Sequence, residues 1–239
     1  MLRANIHSLL IGPEKNFCYL IYCSKTNTAA LVDSAFEFDR VIKWVNSFNP
    51  QHPPEIKYLI ATHGHSDHAG GFPEMLKILP NAKVVAHEFE KQRLQSAQIP
   101  LHKPLKDHEE FQVGEILVRA LHTPGHTEGG CCYLIDDQLL SGDTLFVGQC
   151  GRTDLPGGSD SDLFLSLQKL KKLPATTRVF PGHDYGVTPT STIEIEMLKN
   201  PTLIAKSLQD LRQRRNLIVV FVGKIMHFID ADVELTMHH

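Results

Sequence analysis

Residues 56–71 read IKYLIATHGHSDHAGG. The first seven form a short apolar, β-prone run with the length of a buried strand. The next six set three imidazoles and a carboxylate, His63, His65, Asp67 and His68, at the mouth of the core that strand would enter. His63 and His65 are two apart, so in extended backbone their side chains point to one side and could grip one ion. Asp67 and His68 continue into the start of a helix, from where they can turn toward a second ion. Asp67 or Ser66 alone could cap the helix containing Phe72 to Leu79. For the four together that explanation is poor. Without an ion they would crowd sparsely partnered polar groups against a core, whereas imidazole nitrogens and carboxylate oxygens are ligands that zinc takes.

Working outward, CYLIYC (18–23) and TAALVD (28–33) are β-prone runs separated by the turn-rich SKTN and read as a hairpin. Ser34 and Glu37 have capping-box spacing, and Phe38, Val41, Ile42 and Val45 recur at helical intervals, which predicts a helix of about three turns. After the opening stretch come FPEMLKIL as a helix, KVVAH as a strand and EFEKQRLQ as another helix. The middle of the chain changes character: FQVGEILVRALH, CCYLID and QLLSG are strands, the last two joined by a tight turn at Asp136-Asp137 that implies antiparallel pairing. Ser159 or Asp160 caps a helix with an apolar stripe of Leu163, Phe164, Leu167 and Leu170, and RVFPGHDYG returns to a strand and a loop. Two β-rich halves, each with helices, predict two mixed sheets packed face to face with helices outside, an α/β fold of four layers. A second capping-box spacing, Ser191 and Glu194, starts a helix that Pro201 interrupts and LIAKSLQDLRQRR resumes.

Composition narrows the function classes. A chain of 239 residues, 42% hydrophobic and 21% charged, has the balance of one large globular domain, or one with a short appendage. A formal charge of −3 and the lack of any Lys/Arg block give no footprint for nucleic acid or an acidic membrane. The N-terminal residues lack a signal peptide's apolar region and cleavage site, and no segment has the apolar length to span a bilayer. A soluble, cytoplasmic protein is the expectation. Five cysteines without a CxxC argue against a disulfide framework and a thiolate zinc site, and they read as buried small hydrophobes. The run Leu217 to Val222 could be a strand, a packed tail or an oligomer contact, the last making the chain a homodimer. The terminal His238 and His239 are given no metal role.

The missing ligands follow in one kind of place. His126 comes after VRALHT in HTPGHTEGG, Asp143 after QLLSG, and His183 after RVF in PGHDYG, each just beyond a strand's end as the first cluster is. Loops at strand ends that share a sheet edge commonly assemble sites, and Gly64, Gly125, Gly142 and Gly182 let the backbone bend closely there. HGHSDH, TPGHT, SGDTLF, CGRTDLPGG and PGHDYG together resemble the metallo-β-lactamase superfamily, and within it the glyoxalase II-like branch of thioester hydrolases. The resemblance spans roughly residues 16–200. It implies an αββα sandwich with a two-metal site at one edge, a catalytic domain over residues 1–190 and a short helical C-terminal extension over 191–239. On the matching positions His63, His65 and His126 hold the first metal, Asp67, His68 and His183 the second, and Asp143 bridges them. Two divalent ions about 3.5–4 Å apart can share a water, lower its pKa toward neutrality and polarise the carbonyl it attacks. Zinc is the expected ion, with iron or manganese also compatible, and Asp67 and Asp143 are the catalytic carboxylates. Arg152 and Tyr185, in the loops after Asp143 and His183, are candidate substrate contacts, although Arg152 could instead pair with Asp154. His122 is a candidate for orienting a ligand.

The resemblance implies hydrolysis of small-molecule thioesters of the S-hydroxyacylglutathione type. Glyoxalase II enzymes usually carry a longer helical domain after the position of PGHDYG, where this chain has VTPTSTIEIEMLKNPTL, and a lysine- and tyrosine-bearing loop where it has GRTDLPGG. The alternative is a persulfide dioxygenase, acting on a thiol-derived substrate with a single iron, whose relatives share GRTD and HDY. Its facial triad would be His63, His126 and Asp143. A binding protein that keeps the fold but not the chemistry would be expected to have lost a ligand, and none of the seven positions is changed.

Overall fold

A computed structural model describes residues 5–215 of the protein. The expectations for 216–239 lie outside the described residues. The chain runs β1 (Asn5–Ile11), β2 (Asn16–Cys23), β3 (Thr28–Val32), α1 (Phe38–Asn46), β4 (Glu55–Ile60), α2 (Ser66–Ala69), α3 (Phe72–Ile78) and β5 (Lys83–His87). A 3₁₀ turn (Glu88–Glu90) leads into α4 (Lys91–Ser96) and β6 (Lys103–Leu105). Then follow β7 (Glu110–Val113), β8 (Ile116–His122), β9 (Cys131–Ile135), β10 (Gln138–Gly142), β11 (Leu145–Phe146) and β12 (Gln149–Cys150). The described chain closes with α5 (Asp160–Leu170), β13 (Arg178–Pro181), β14 (Ser191–Thr192), α6 (Ile193–Lys199) and helical residues 208–215.

One sheet has the order β1-β2-β3-β4-β5-β6 and the other β14-β13-β10-β9-β8-β7. Alternation along each strand explains why both faces of both sheets are buried. In β2, Tyr19 and Ile21 point between the sheets, where they meet Tyr133, Leu140 and Phe180 of the second sheet. Cys18 and Leu20 point the other way, onto Val41 and Val45 of α1, Phe72 and Met75 of α3, and Leu94 of α4. In the second sheet Leu121, Cys132, Leu139 and Val179 face Leu163, Leu167 and Leu170 of α5. Strands buried on both faces read as continuous apolar runs, as TAALV and CCYLI do. The four-layer αββα arrangement of two mixed sheets is therefore the one expected, and all five cysteines are buried and unpaired.

Four local expectations need correction. FQVGEILVRALH is not one strand but the antiparallel hairpin of β7 and β8, which turns at Gly114 (φ +62°). Ser34 does not cap α1: Glu37 occupies the N-cap with left-handed backbone (φ 54°), and its carboxylate is taken by the Gly12 N–H at 2.8 Å and by Arg40. Ser191 pairs with β13, so the cap of α6 falls one residue later, where the Thr192 hydroxyl accepts the Ile195 N–H. The helix predicted from Leu203 starts at residue 208, with the Ser207 hydroxyl accepting the Asp210 N–H. Leu203, Ala205 and Leu211 pack with α5 in the third core cluster.

The topology sets the site. β3 and β4 run parallel, as do β10 and β13, and β8 runs in the same direction as β10 because each is antiparallel to β9. Their C-terminal ends meet at one edge, where the two sheets are joined by hydrogen bonds. The Cys131 N–H donates to the Thr62 carbonyl and the Phe17 N–H to the Gly182 carbonyl. The buried Tyr133 hydroxyl donates to the Ala61 carbonyl at 2.8 Å. Tyr133→Phe leaves that carbonyl without its partner and should cost about 1–3 kcal/mol of stability in denaturant unfolding. An unchanged midpoint and slope would mean the bond contributes nothing to joining the sheets.

Candidate metal centre

Five strand ends deliver the side chains. Asp33 follows β3, His63 to His68 follow β4, His126 follows β8, Asp143 follows β10 and His183 follows β13. Backbone shape makes room for them: Gly142 turns with φ +48°, and a Cβ on Gly182 would collide with Asp143 Oδ1. The ligand atoms then converge as three trios, each within 4.8 Å: His63, His65 and His126; His63, His68 and Asp143; Asp67, His68 and His183. All seven residues proposed as ligands are in one cluster. His63, His68, His126, Asp143 and His183 are buried, and His65 and Asp67 border the cleft.

The ring orientations follow from the outer partners. His126 Nδ1–H donates to the Arg152 carbonyl at 2.7 Å and His183 Nδ1–H to the Glu14 carbonyl at 2.8 Å, so both Nε2 lone pairs face inward. His68 Nδ1–H donates to Asp33 Oδ2 at 3.0 Å, with the same result. Asp33 Oδ2 also accepts the Thr62 hydroxyl at 2.7 Å, which leaves Thr62 Oγ1 to accept His63 Nδ1–H at 3.1 Å. Asn16 Nδ2–H donates to Asp67 Oδ2 at 3.0 Å.

These partners set the Nε2 acceptors of His68 and His183 against each other and turn that of His126 toward His65. His68 Nε2 and His183 Nε2 lie 3.2 Å apart, and His65 Nδ1 is 2.9 Å from His126 Nε2. Asp143 Oδ1 and His63 Nε2 are buried with no hydrogen-bond partner. Asp143 reaches toward three imidazoles, Oδ1 to His68 at 3.4 Å and Oδ2 to His126 at 3.5 Å and His183 at 3.4 Å. Imidazole nitrogens turned inward on carboxylate oxygens, with Asp143 Oδ1 and His63 Nε2 left unpartnered, fit metal cations. The electrostatics agree. Burial, reinforced by His126, pushes His65 down to about 4, which favours its neutral, ligating form. Burial acts the same way on His183, but hydrogen bonds that its ring can donate to Asp143 and Asp67 override it and raise the group to about 9. For His68 burial is likewise overridden, by the charges of Asp143 and Asp33. The carboxylates on that side call for positive charge.

The cluster floors a cleft of about 420 Å³ whose walls include Phe146, Gln149, Leu155 and Tyr185. The Tyr185 ring stacks on His183 at 4.6 Å and 9°, with Phe146 edge-on to both. Arg152 lines the cleft, but its guanidinium is held bidentately by Asp154 at 2.7 and 2.6 Å. His122 stacks on His87 at 3.8 Å and donates to the Glu128 carbonyl, so its contacts are with neighbouring loops. Asp67 does not cap α2, whose N-cap is His65. Sequence reading missed Asp33, Asn16 and Glu90. Asp33 carried the usable signal, an acidic residue just past an apolar strand, as Asp143 is.

A family model described as the metallo-beta-lactamase superfamily matches residues 11–183, and the chain belongs to that superfamily. It is 31% identical over 192 residues to "Probable polyketide biosynthesis zinc-dependent hydrolase BaeB" of Bacillus velezensis, covering 77% of this chain and 80% of that one. To "Probable hydroxyacylglutathione hydrolase glo2" of Schizosaccharomyces pombe it is 36% identical over 178 residues, covering 73% of this chain and 66% of that one. Among solved structures, ETHE1 from Myxococcus xanthus superposes with a TM-score of 0.77 at 29% identity, covering 89% of this chain and 91% of that one. No helix among the described residues is long and apolar enough to cross a membrane.

Proposed function

We propose that the protein is a binuclear metal-dependent hydrolase of thioesters of the S-hydroxyacylglutathione type. Support comes first from the convergence of inward-facing imidazole nitrogens on Asp67 and Asp143, with Asp143 directed at both groups of histidines. His63, His65 and His126 would hold one ion, Asp67, His68 and His183 the other, and Asp143 both. Two such ions, when bound, supply a water of near-neutral pKa and polarise the carbonyl it attacks. The protein's part is to orient. Asp67 and Asp143 line the cleft, where they would face a reacting water and its protons. Phe146 and Tyr185 give an apolar wall against which the acyl or thiol portion can rest. The Arg152–Asp154 pair is exposed, and exposed pairs are typically worth about 1 kcal/mol or less, bidentate ones being the stronger. Exchanging Asp154 for a substrate carboxylate therefore costs little, and the planar guanidinium suits that bidentate contact. A thiolate leaves without a strong acid, since thiols ionise near pH 8.5. The hydrolase names of the BaeB and glo2 relatives support the reaction class.

Oxidation of a persulfide at a single iron is the competing function, favoured by the fuller length match to ETHE1 than to glo2. Metal analysis of natively purified protein separates the two. Two zinc-type ions per chain are expected, and one iron per chain would favour the oxidative function instead.

A further inference from the structure

Glu90 ends the 3₁₀ turn after β5 and is 1% exposed, although it belongs to none of the three ligand trios. Burying a carboxylate is costly unless its oxygens are satisfied. Here each oxygen is engaged by a different ligand-bearing loop. Oε2 accepts the N–H of Gly64, the residue between His63 and His65, at 3.0 Å. Oε1 accepts the hydroxyl of Thr127, the neighbour of His126, at 2.5 Å. The two loops come from opposite sheets, β4 in one and β8 in the other. Both press on the carboxylate side chain: a Cβ on Gly64 would come within 2.7 Å of Glu90 Oε2, and one on Gly129 within 2.6 Å of Glu90 Cγ. Arg93 Nε lies 3.4 Å from Oε2, and the Arg93 Nη2–H donates to the Pro156 carbonyl, extending the contact to the loop that follows Arg152.

We propose that Glu90 is a positioning residue that fixes the spacing of His63 and His65 relative to His126, and so sets the affinity of that side of the centre for its ion. The inference rests on the metal assignment above. His63 and His126 are each oriented by an outer partner, Thr62 and the Arg152 carbonyl respectively. Those bonds fix ring rotation but not the distance between loops from separate sheets. At their bases the loops are tied by the Cys131 N–H to the Thr62 carbonyl, and beyond that bond Glu90 reaches both, at the residues next to the ligands. Metal–imidazole bonds span about 2.0–2.1 Å, so a loop shift of a few tenths of an ångström is felt directly. Loss of a partner that supports ligands typically costs about 10–100-fold in metal affinity.

The test is zinc titration of the metal-free protein against a chromophoric chelator, with melting of the metal-free forms measured in parallel. Glu90→Ala should weaken one of the two ions by about 10–100-fold and leave the other near its wild-type affinity. Glu90→Gln keeps an acceptor for the Gly64 N–H, and its amide can donate to the Thr127 hydroxyl, so it should recover most of the loss. Thr127→Val removes one donor without changing the volume much and should weaken the same ion. It also carries the test if Glu90→Ala does not fold. The double variant should be no weaker than Glu90→Ala alone, because both act through one contact. Wild-type affinity for both ions in Glu90→Ala and Thr127→Val, or equal weakening of both ions in step with a lower melting temperature of the metal-free form, would overturn the inference while leaving the metal assignment intact. Wild-type protein that takes up no ion would overturn both.

Discussion

Asp143→Asn is expected to give a folded protein that holds neither ion well and turns over on the order of 10³-fold more slowly, or worse. Stabilisation of transition-state charge by a bound metal is worth several kcal/mol, and ~4 kcal/mol corresponds to about a thousandfold in rate. Asp143 has the most to lose because its two oxygens face His68, His126 and His183, so both sides of the centre depend on it. Asparagine keeps the shape but replaces one oxygen with a donor and removes the charge. Metal titration should show a larger loss of occupancy than for His183→Ala, which touches one side only. Equal losses in the two variants, or none, would count against a shared carboxylate.

His126→Ala should remove metal and activity together, by a factor of similar order, while the metal-free protein unfolds near the wild-type midpoint. The side chain sits in a loop held by its own backbone bonds, Gly125 N–H to the Thr127 carbonyl and Thr123 N–H to the Gly130 carbonyl, rather than between the sheets. Its removal frees the Arg152 carbonyl but leaves the core clusters untouched. Circular dichroism with elemental analysis checks this. A variant that retained full turnover after chelation and dialysis would contradict the metal assignment.

The sandwich was legible because both faces of its central strands are covered, which writes apolar runs such as TAALV and CCYLI into the sequence. Edge strands carry no such signature. β1 shows no clean alternation in NIHSLLI, β6 is three residues with Pro104 inside it, and β14 is two residues, so all three went unread. The His and Asp cluster was legible because ligand types repeat just past strand ends, a local pattern. The groups that orient it were not, since they are defined by contacts across the chain. Glu90 reads as one more charge in EFEKQRLQ until Gly64 and Thr127, 26 and 37 positions away, are brought onto it. Ser34 and Glu37 had the spacing of a capping box, yet Gly12, 25 residues from Glu37, takes the carboxylate that spacing requires.

Thiol release and oxygen uptake, followed for protein reconstituted with zinc or with iron and supplied separately with S-lactoylglutathione and glutathione persulfide, test the proposed hydrolysis most directly. Thiol release from the thioester by the zinc form, without oxygen uptake, is the result expected of a binuclear centre acting through an activated water. Persulfide-dependent oxygen uptake by the iron form, with no thiol release from the thioester by either form, would contradict it.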